Sequence, residues 1–320
     1  MRSYAELHVH IEGALEPALA FALAKKNNVE LPFANPDELT KKLSFTQLQD
    51  YLDLYYANMA VLKTEEDFAQ LTNAYLAKAK ACGITRAEVS CDLAAHLARG
   101  VPAEVVLGGI SGALARSEKD YGISTGLILN FGQHLTSEEA EAAYDQAMAT
   151  GTELIAVGVC LTKAEASAAP FTGLFGKARS AGLHTVAHVG GEAGVDTVWD
   201  CLHALKVGRI GSCGVEDRDL MYYLADYSIP LTYCPLANAA IHPDTHSVHP
   251  LPLLLEEGVV VTINSESPAY FGGYLDANLA AVTADFNLTE DQLDQLARNS
   301  FAGAFLAESK KAQLSGLVPA

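Results

Sequence analysis

Short apolar, partly β-branched runs recur along the chain, with amphipathic stretches between them. They are Ala5 to Ile11, Thr85 to Ser90, Ser124 to Asn130, Leu154 to Cys160, His184 to Val189, Arg209 to Cys213, Pro230 to Cys234 and Val259 to Ile263. Runs without polar alternation are what parallel strands buried on both faces look like. The intervening segments carry helical periodicity, as in Ala140 to Met148 and Pro170 to Ala181. Eight β-then-α units in 320 residues predict a (β/α)8 barrel, the TIM-barrel class of α/β fold.

The first interval breaks the rhythm. Residues 12–84 read as wholly helical, through Leu48-Gln-Asp-Tyr-Leu-Asp-Leu-Tyr-Tyr56 and Thr64 to Lys80. Helices inserted after the first strand, over about 14–82, would cover the mouth of the barrel, where active sites of this fold lie. The alternative is that these Tyr and Leu positions only pack helix against barrel. Near the other end, Thr289-Glu-Asp-Gln292 is a capping-box start for a closing helix running to about Leu306.

Composition narrows the picture. With 50% hydrophobic residues and no linker-like stretch, the expectation is one domain over 1–320 with one large core. A formal net charge of -18 argues against nucleic acid or polyphosphate, which need clustered cations, and favours a small-molecule substrate. No apolar run approaches the ~20 residues of a membrane span, and Met-Arg-Ser-Tyr-Ala-Glu-Leu-His lacks the apolar core of a leader. A cytoplasmic location is expected. The six cysteines lack zinc-knuckle spacing and are expected as free thiols. A homo-oligomer is compatible with the chain, whose oligomeric state its sequence does not specify.

The chemistry sits at the strand ends. His8 and His10 stand two apart at the end of strand one, so period-two alternation points both imidazoles the same way, as a chelating pair or as two packed histidines. His188 ends strand five and Glu266 ends strand eight. Three imidazoles and one carboxylate suit zinc or another divalent first-row metal.

Glu6-Leu-His-Val-His-Ile-Glu-Gly13, His188, Cys234-Pro-Leu-Ala-Asn238 and Asn264-Ser-Glu-Ser-Pro-Ala-Tyr-Phe-Gly-Gly-Tyr274 resemble the adenosine/adenine deaminase family, closest to its bacterial and fungal adenine deaminase branch. The resemblance runs nearly end to end. It implies a metal-dependent hydrolase in which bound zinc activates water to attack the amine-bearing ring carbon of a purine. It also implies His8, His10, His188 and Glu266 as metal ligands, and Asn238 as a residue of the substrate pocket.

Several positions depart from the family pattern. Gly191 stands where the family carries its glutamate acid, and Glu192 lies one residue beyond, either swung back by the adjacent glycines or a solvated loop acid. Ser212 occupies the place of the strand-six histidine; the neighbouring Cys213 is either a thiolate donor or a small packed hydrophobe. Cys160 replaces an aspartate after strand four, with the same two readings. On strand eight Glu266 keeps metal-binding chemistry with one extra methylene, and Ser267 replaces the aspartate that contacts the purine. Ala237 replaces a serine of the Cys-Pro turn. Glu192, Ser212 and Cys213 are therefore the candidates for catalysis, and Ser267, Gly191, Cys160 and Asn238 for substrate contact. Each positioned acid or base is worth about 10² to 10⁴ in rate. The expectation is a hydrolase with altered specificity or reaction on a purine-like or other N-heterocyclic molecule, the alternative being an impaired relative that binds a ligand or partner protein. His242, His246 and His249 share one Pro-containing loop and read as surface or structural, with a second metal site as the alternative. His96, His134, His184 and His203 have no convergent partner visible in the sequence.

Overall fold

The computed structural model describes residues 2–45, 47–190, 192–211, 217–241 and 251–318. Eight parallel strands follow one another around a single sheet: β1 (Tyr4–His10), β2 (Ile84–Cys91), β3 (Ser124–Gly132), β4 (Ala156–Leu161), β5 (His184–Val189), β6 (Arg209–Gly211), β7 (Leu231–Tyr233) and β8 (Val261–Ile263). The ring closes between β1 and the residues after β8. Val9 bridges Glu266, with Glu266 N–H donating to His8 O at 2.9 Å and His10 N–H to Glu266 O at 2.8 Å. This is the (β/α)8 barrel that the spacing of apolar runs predicts.

Every β1 residue is buried, as expected of a strand covered on both faces. Period-two alternation puts Glu6, His8 and His10 on one face and Leu7 and Val9 on the other. Strands β7 and β8 are shorter than their apolar runs, and the closing helix Glu290–Ala302 stops before Leu306. Its capping box forms as read, Thr289 accepting from Gln292 N–H and Gln292 answering at the Thr289 amide. Gly303 caps the helix, and the chain there passes against Pro230 and Leu7, within 3.0 to 3.2 Å of where a Cβ would sit.

Among the described residues the insertion after β1 holds four α-helices: α1 (Pro17–Asn27), α2 (Pro36–Lys42), α3 (Leu48–Asn58) and α4 (Glu65–Ala81). Proline opens α1 and α2, where the missing N–H costs nothing, and Asn35 caps α2 by accepting from Glu38 N–H. Thr64 and Asp67 form a reciprocal capping box on α4. Tyr51 and Tyr55 of α3 pack with Phe45, Met59, Tyr270 and Phe271 in a second apolar cluster. That cluster holds α3 across the mouth.

Candidate metal centre and cavity

His8, His10 and His188 converge. Their ligand nitrogens lie within 4.8 Å of one another. The His8 and His188 rings stack with centroids 3.7 Å apart, and His10 meets His188 edge-on at 5.2 Å. Burial, reinforced by the neighbouring imidazoles, pushes the pKa of His8 and His188 well down, and burial pulls His10 to about 4. All three are neutral lone-pair donors at neutral pH.

Neighbouring groups orient them. His8 Nδ1 lies 3.0 Å from Thr232 Oγ1, and His188 Nδ1 lies 3.3 Å from Cys160 Sγ. A proton on His8 Nδ1 donated to Thr232 leaves Nε2 as the ligand atom. That Nε2 is buried and has no hydrogen-bond partner. An orphaned buried nitrogen facing two other imidazoles is what a metal site requires and what a packed core avoids.

Glu266 reaches the same place from β8, its carboxylate grouping with His8 and Cys234 within 4.8 Å. Its backbone is left-handed, at φ 59°, unusual for a residue with a Cβ. The strain sits at the residue whose N–H and C=O close the barrel onto β1. Cys160 is half-buried, and desolvation pushes its thiol up to about 12, so it acts there as a thiol.

A cavity of about 260 Å³ opens beside the histidines, lined by His10, Glu266 and Cys160 on the barrel side and by Tyr51, Tyr55 and Tyr56 of α3 on the other. It falls just below the ~300 to 1,000 Å³ common for drug-sized ligands, which suits one compact ring system. A larger hollow of about 710 Å³ lies at the far end of the barrel, lined by Ser124 and Thr125 at the start of β3 and by residues preceding β4, remote from the histidines.

The other sequence candidates are scattered. Ser267 is fully buried, its Oγ 2.8 Å from Tyr51 Oη, and it does not line the cavity. Asn238 is buried in the helix after β7, outside that lining. Glu192 is exposed, its amide donating to Thr162 O at 2.9 Å. Gly191, Ser212 and Cys213, and the loop with His242, His246 and His249, lie outside the described residues. No disulfide joins the five described cysteines, as expected.

All four histidines read as partnerless have neighbours in the fold, His184 stacking on Phe305 and His203 on Trp199. His96 Nε2 meets Glu12 Oε1 at 2.9 Å in a fully buried pair, and His134 lines the cavity. The His96 contact spans 84 residues, which local pattern cannot reveal. Asp92, Asn130 and Tyr56 also line the cavity and were missed. For Asp92 a signal existed: it directly follows β2, at the strand end where this fold places its chemistry.

Neutral imidazoles and a carboxylate gathered at the carboxyl ends of barrel strands define a metal-dependent hydrolase of the amidohydrolase kind. The chain belongs to the adenosine deaminase family, whose profile, described as "Adenosine deaminase", matches residues 4–320. A protein named adenine deaminase from Sphingopyxis alaskensis is 45% identical over 312 residues, covering 97% of this chain and 92% of the relative. The crystal structure of adenine deaminase from Arthrobacter aurescens superposes with a TM-score of 0.95 at 40% identity, over 99% of this chain and 98% of that one. An amidohydrolase crystal structure with bound Zn, 21% identical, matches at a TM-score of 0.89 over 98% of this chain and 89% of its own, a likeness of fold. No helix among the described residues is long and apolar enough to cross a membrane.

Proposed function

We propose that this chain is a metal-dependent hydrolase that binds a purine base, adenine first among those to test, or a similar aminated N-heterocycle, with a turnover altered from ordinary adenine deamination. The observation that carries the reading is the unpartnered, buried Nε2 of His8 set among two further neutral imidazoles. His8, His10, His188 and Glu266 would hold one divalent ion, zinc by the nature of the donors. Such an ion supplies Lewis-acid chemistry and brings the pKa of water near neutrality. The relatives named adenine deaminase support the base, and the small cavity supports a single ring system.

The chain's own residues divide the work. Thr232 and Cys160 orient two imidazoles, and Tyr51, Tyr55 and Tyr56 wall the cavity from the solvent side, α3 acting as a lid on a single domain spanning 1–320. The altered turnover rests on Gly191 in the acid's place and on the exposure of Glu192. A binding-only relative is the second reading, and the same exposure favours it.

Metal analysis and ammonia release from adenine test this together. About one equivalent of a first-row divalent metal is expected, lost in His10→Ala, with adenine bound and ammonia released slowly. Protein that neither carries metal nor accepts it when supplied sinks the reading. Metal and adenine binding without ammonia would favour the binding-only relative. Glu192→Gln should lower turnover less than about tenfold; a drop in the 10² to 10⁴ range of a positioned acid would show that Glu192 enters the site.

A further inference from the structure

Asp92 stands immediately after β2 and at the start of the short helix Leu93–Ala98, where an aspartate ordinarily caps the helix with its side chain. It makes no such cap here. Its carboxyl group is instead turned to the cavity: Asp92 is 4% exposed, lines the cavity with His10 and Glu266, and accepts from Tyr56 Oη at 3.2 Å. No ion pair to Asp92 occurs among the described residues. A buried carboxyl group with one phenol and no cation has unspent hydrogen-bonding capacity.

Its neighbour Glu12 shows the opposite arrangement. Glu12 Oε1 accepts from the Asp92 N–H at 3.0 Å and from His96. Burial pushes Glu12 up, but His96 and the backbone amides of Glu12 and Asp92 together outweigh it and hold Glu12 below its ordinary value. Burial and then Glu12 push Asp92 up to about 7. Two adjacent acids driven apart in this way mark an acid that keeps its proton where substrates bind.

A protonated carboxyl group offers one donor and one acceptor side by side, whereas a carboxylate offers acceptors alone. The matching edge is a ring nitrogen beside an exocyclic amine. We propose that Asp92 reads the N–C–NH2 edge of an aminated heterocycle, donating O–H to the ring nitrogen and accepting from the amine. The assignment rests on the purine-base reading of the cavity and names the group that selects an amine-bearing ring.

Calorimetric titration of the metal-loaded protein with adenine, and with purine as the same ring lacking the amine, tests it between pH 5.5 and 8.5. The wild type should prefer adenine by at least tenfold, and its adenine affinity should fall about tenfold per pH unit above 7. Asp92→Asn keeps a donor beside an acceptor, so it should hold adenine affinity within about threefold at low pH and abolish the pH dependence. Asp92→Ala should lose the preference. Glu12, Cys91, Cys160, Tyr55 and Tyr56 also face Asp92; hydrogen bonding from His96 and backbone amides holds Glu12 below the tested window, and burial holds the phenols and thiols above it. His134 and Lys163 share the cavity, and the asparagine variant separates any contribution of theirs from that of Asp92.

A wild-type affinity flat in pH, or an adenine preference that survives in Asp92→Ala, overturns the proposal while leaving the hydrolase reading standing. Metal-loaded wild type that binds neither base overturns both. The wild-type pH profile needs no variant, so it decides the matter even if a substitution unfolds the protein.

Discussion

Small residues beside the histidines are as demanding as the histidines themselves. A Cβ on Gly211 would fall 2.6 Å from Thr232 Oγ1, 2.8 Å from His188 Cδ2 and 3.0 Å from His8 Nδ1. Gly211→Ala must displace the hydroxyl that orients His8 or the imidazoles. It should weaken metal affinity by about 10- to 100-fold, the usual cost of disturbing a ligand's support, with little change in the far-UV circular dichroism. A competition titration against a chromophoric chelator reads the loss. Gly13 is under the same pressure from Ser267, whose Oγ lies 2.3 Å from a Cβ built there. Ser267 sits where the resemblance places an acidic ligand contact, yet it faces Gly13 and Tyr51. Its residue type was legible in the sequence, but its direction was set by atoms more than 200 positions away.

At the scale of elements, the strand ends carry the donors and α3 carries the opposite wall. Helix α3 is held by its aromatic face against Tyr270 and Phe271, which follow β8, and by contacts from Tyr51 and Tyr55 to Ser267 and Glu12. It lies on the surface side of the cavity, and its acidic positions Asp50 and Asp53 are exposed. Elements with one packed face open more readily than barrel strands buried on both. Amide exchange in Leu48–Asn58 should therefore be faster than in β1 to β5 of the free protein, and should slow at saturating adenine. Mass-spectrometric hydrogen exchange checks this; unchanged exchange in α3 on binding would place the ligand elsewhere. The helix was predictable from its periodicity over Leu48 to Tyr56, and its role as a cavity wall was expected from its position after the first strand. Which of its tyrosines face the cavity required the packed structure, because several positions of an amphipathic helix share one stripe.

For the whole molecule, the barrel interior contains buried charge as well as apolar side chains. Glu88 of β2 is fully buried between Arg209, at 2.6 Å, and Arg86, at 3.0 Å. Burial pushes Glu88 up, but the two guanidinium groups prevail and hold it below its ordinary value. Its contribution to stability is therefore complete above its unfolded pKa of about 4.3 and is lost as the pH falls through the folded value. Glu88→Gln leaves Arg209 underpaired in the interior and should cost about 3 to 5 kcal/mol in urea unfolding at pH 7. The metal-site histidines shift the same acid limit upward. Because His10 falls from 6.5 to about 4 on folding, the folded state binds fewer protons across that interval. Metal-free protein should lose stability progressively from about pH 6.5 to 4, measured by thermal unfolding across that range. The eight-unit rhythm, the helical insertion, the capping box at Thr289, the histidine pair and the family were all legible in the sequence, because local periodicity and short motifs encode them. What the tertiary structure alone decided is what meets at the mouth: the stacking of His8 on His188, the closure of the ring through a left-handed Glu266, the pairing of His96 with Glu12, and the turn of Asp92 into the cavity. Those contacts join residues dozens to hundreds of positions apart, and only closing the barrel brings their strand ends together.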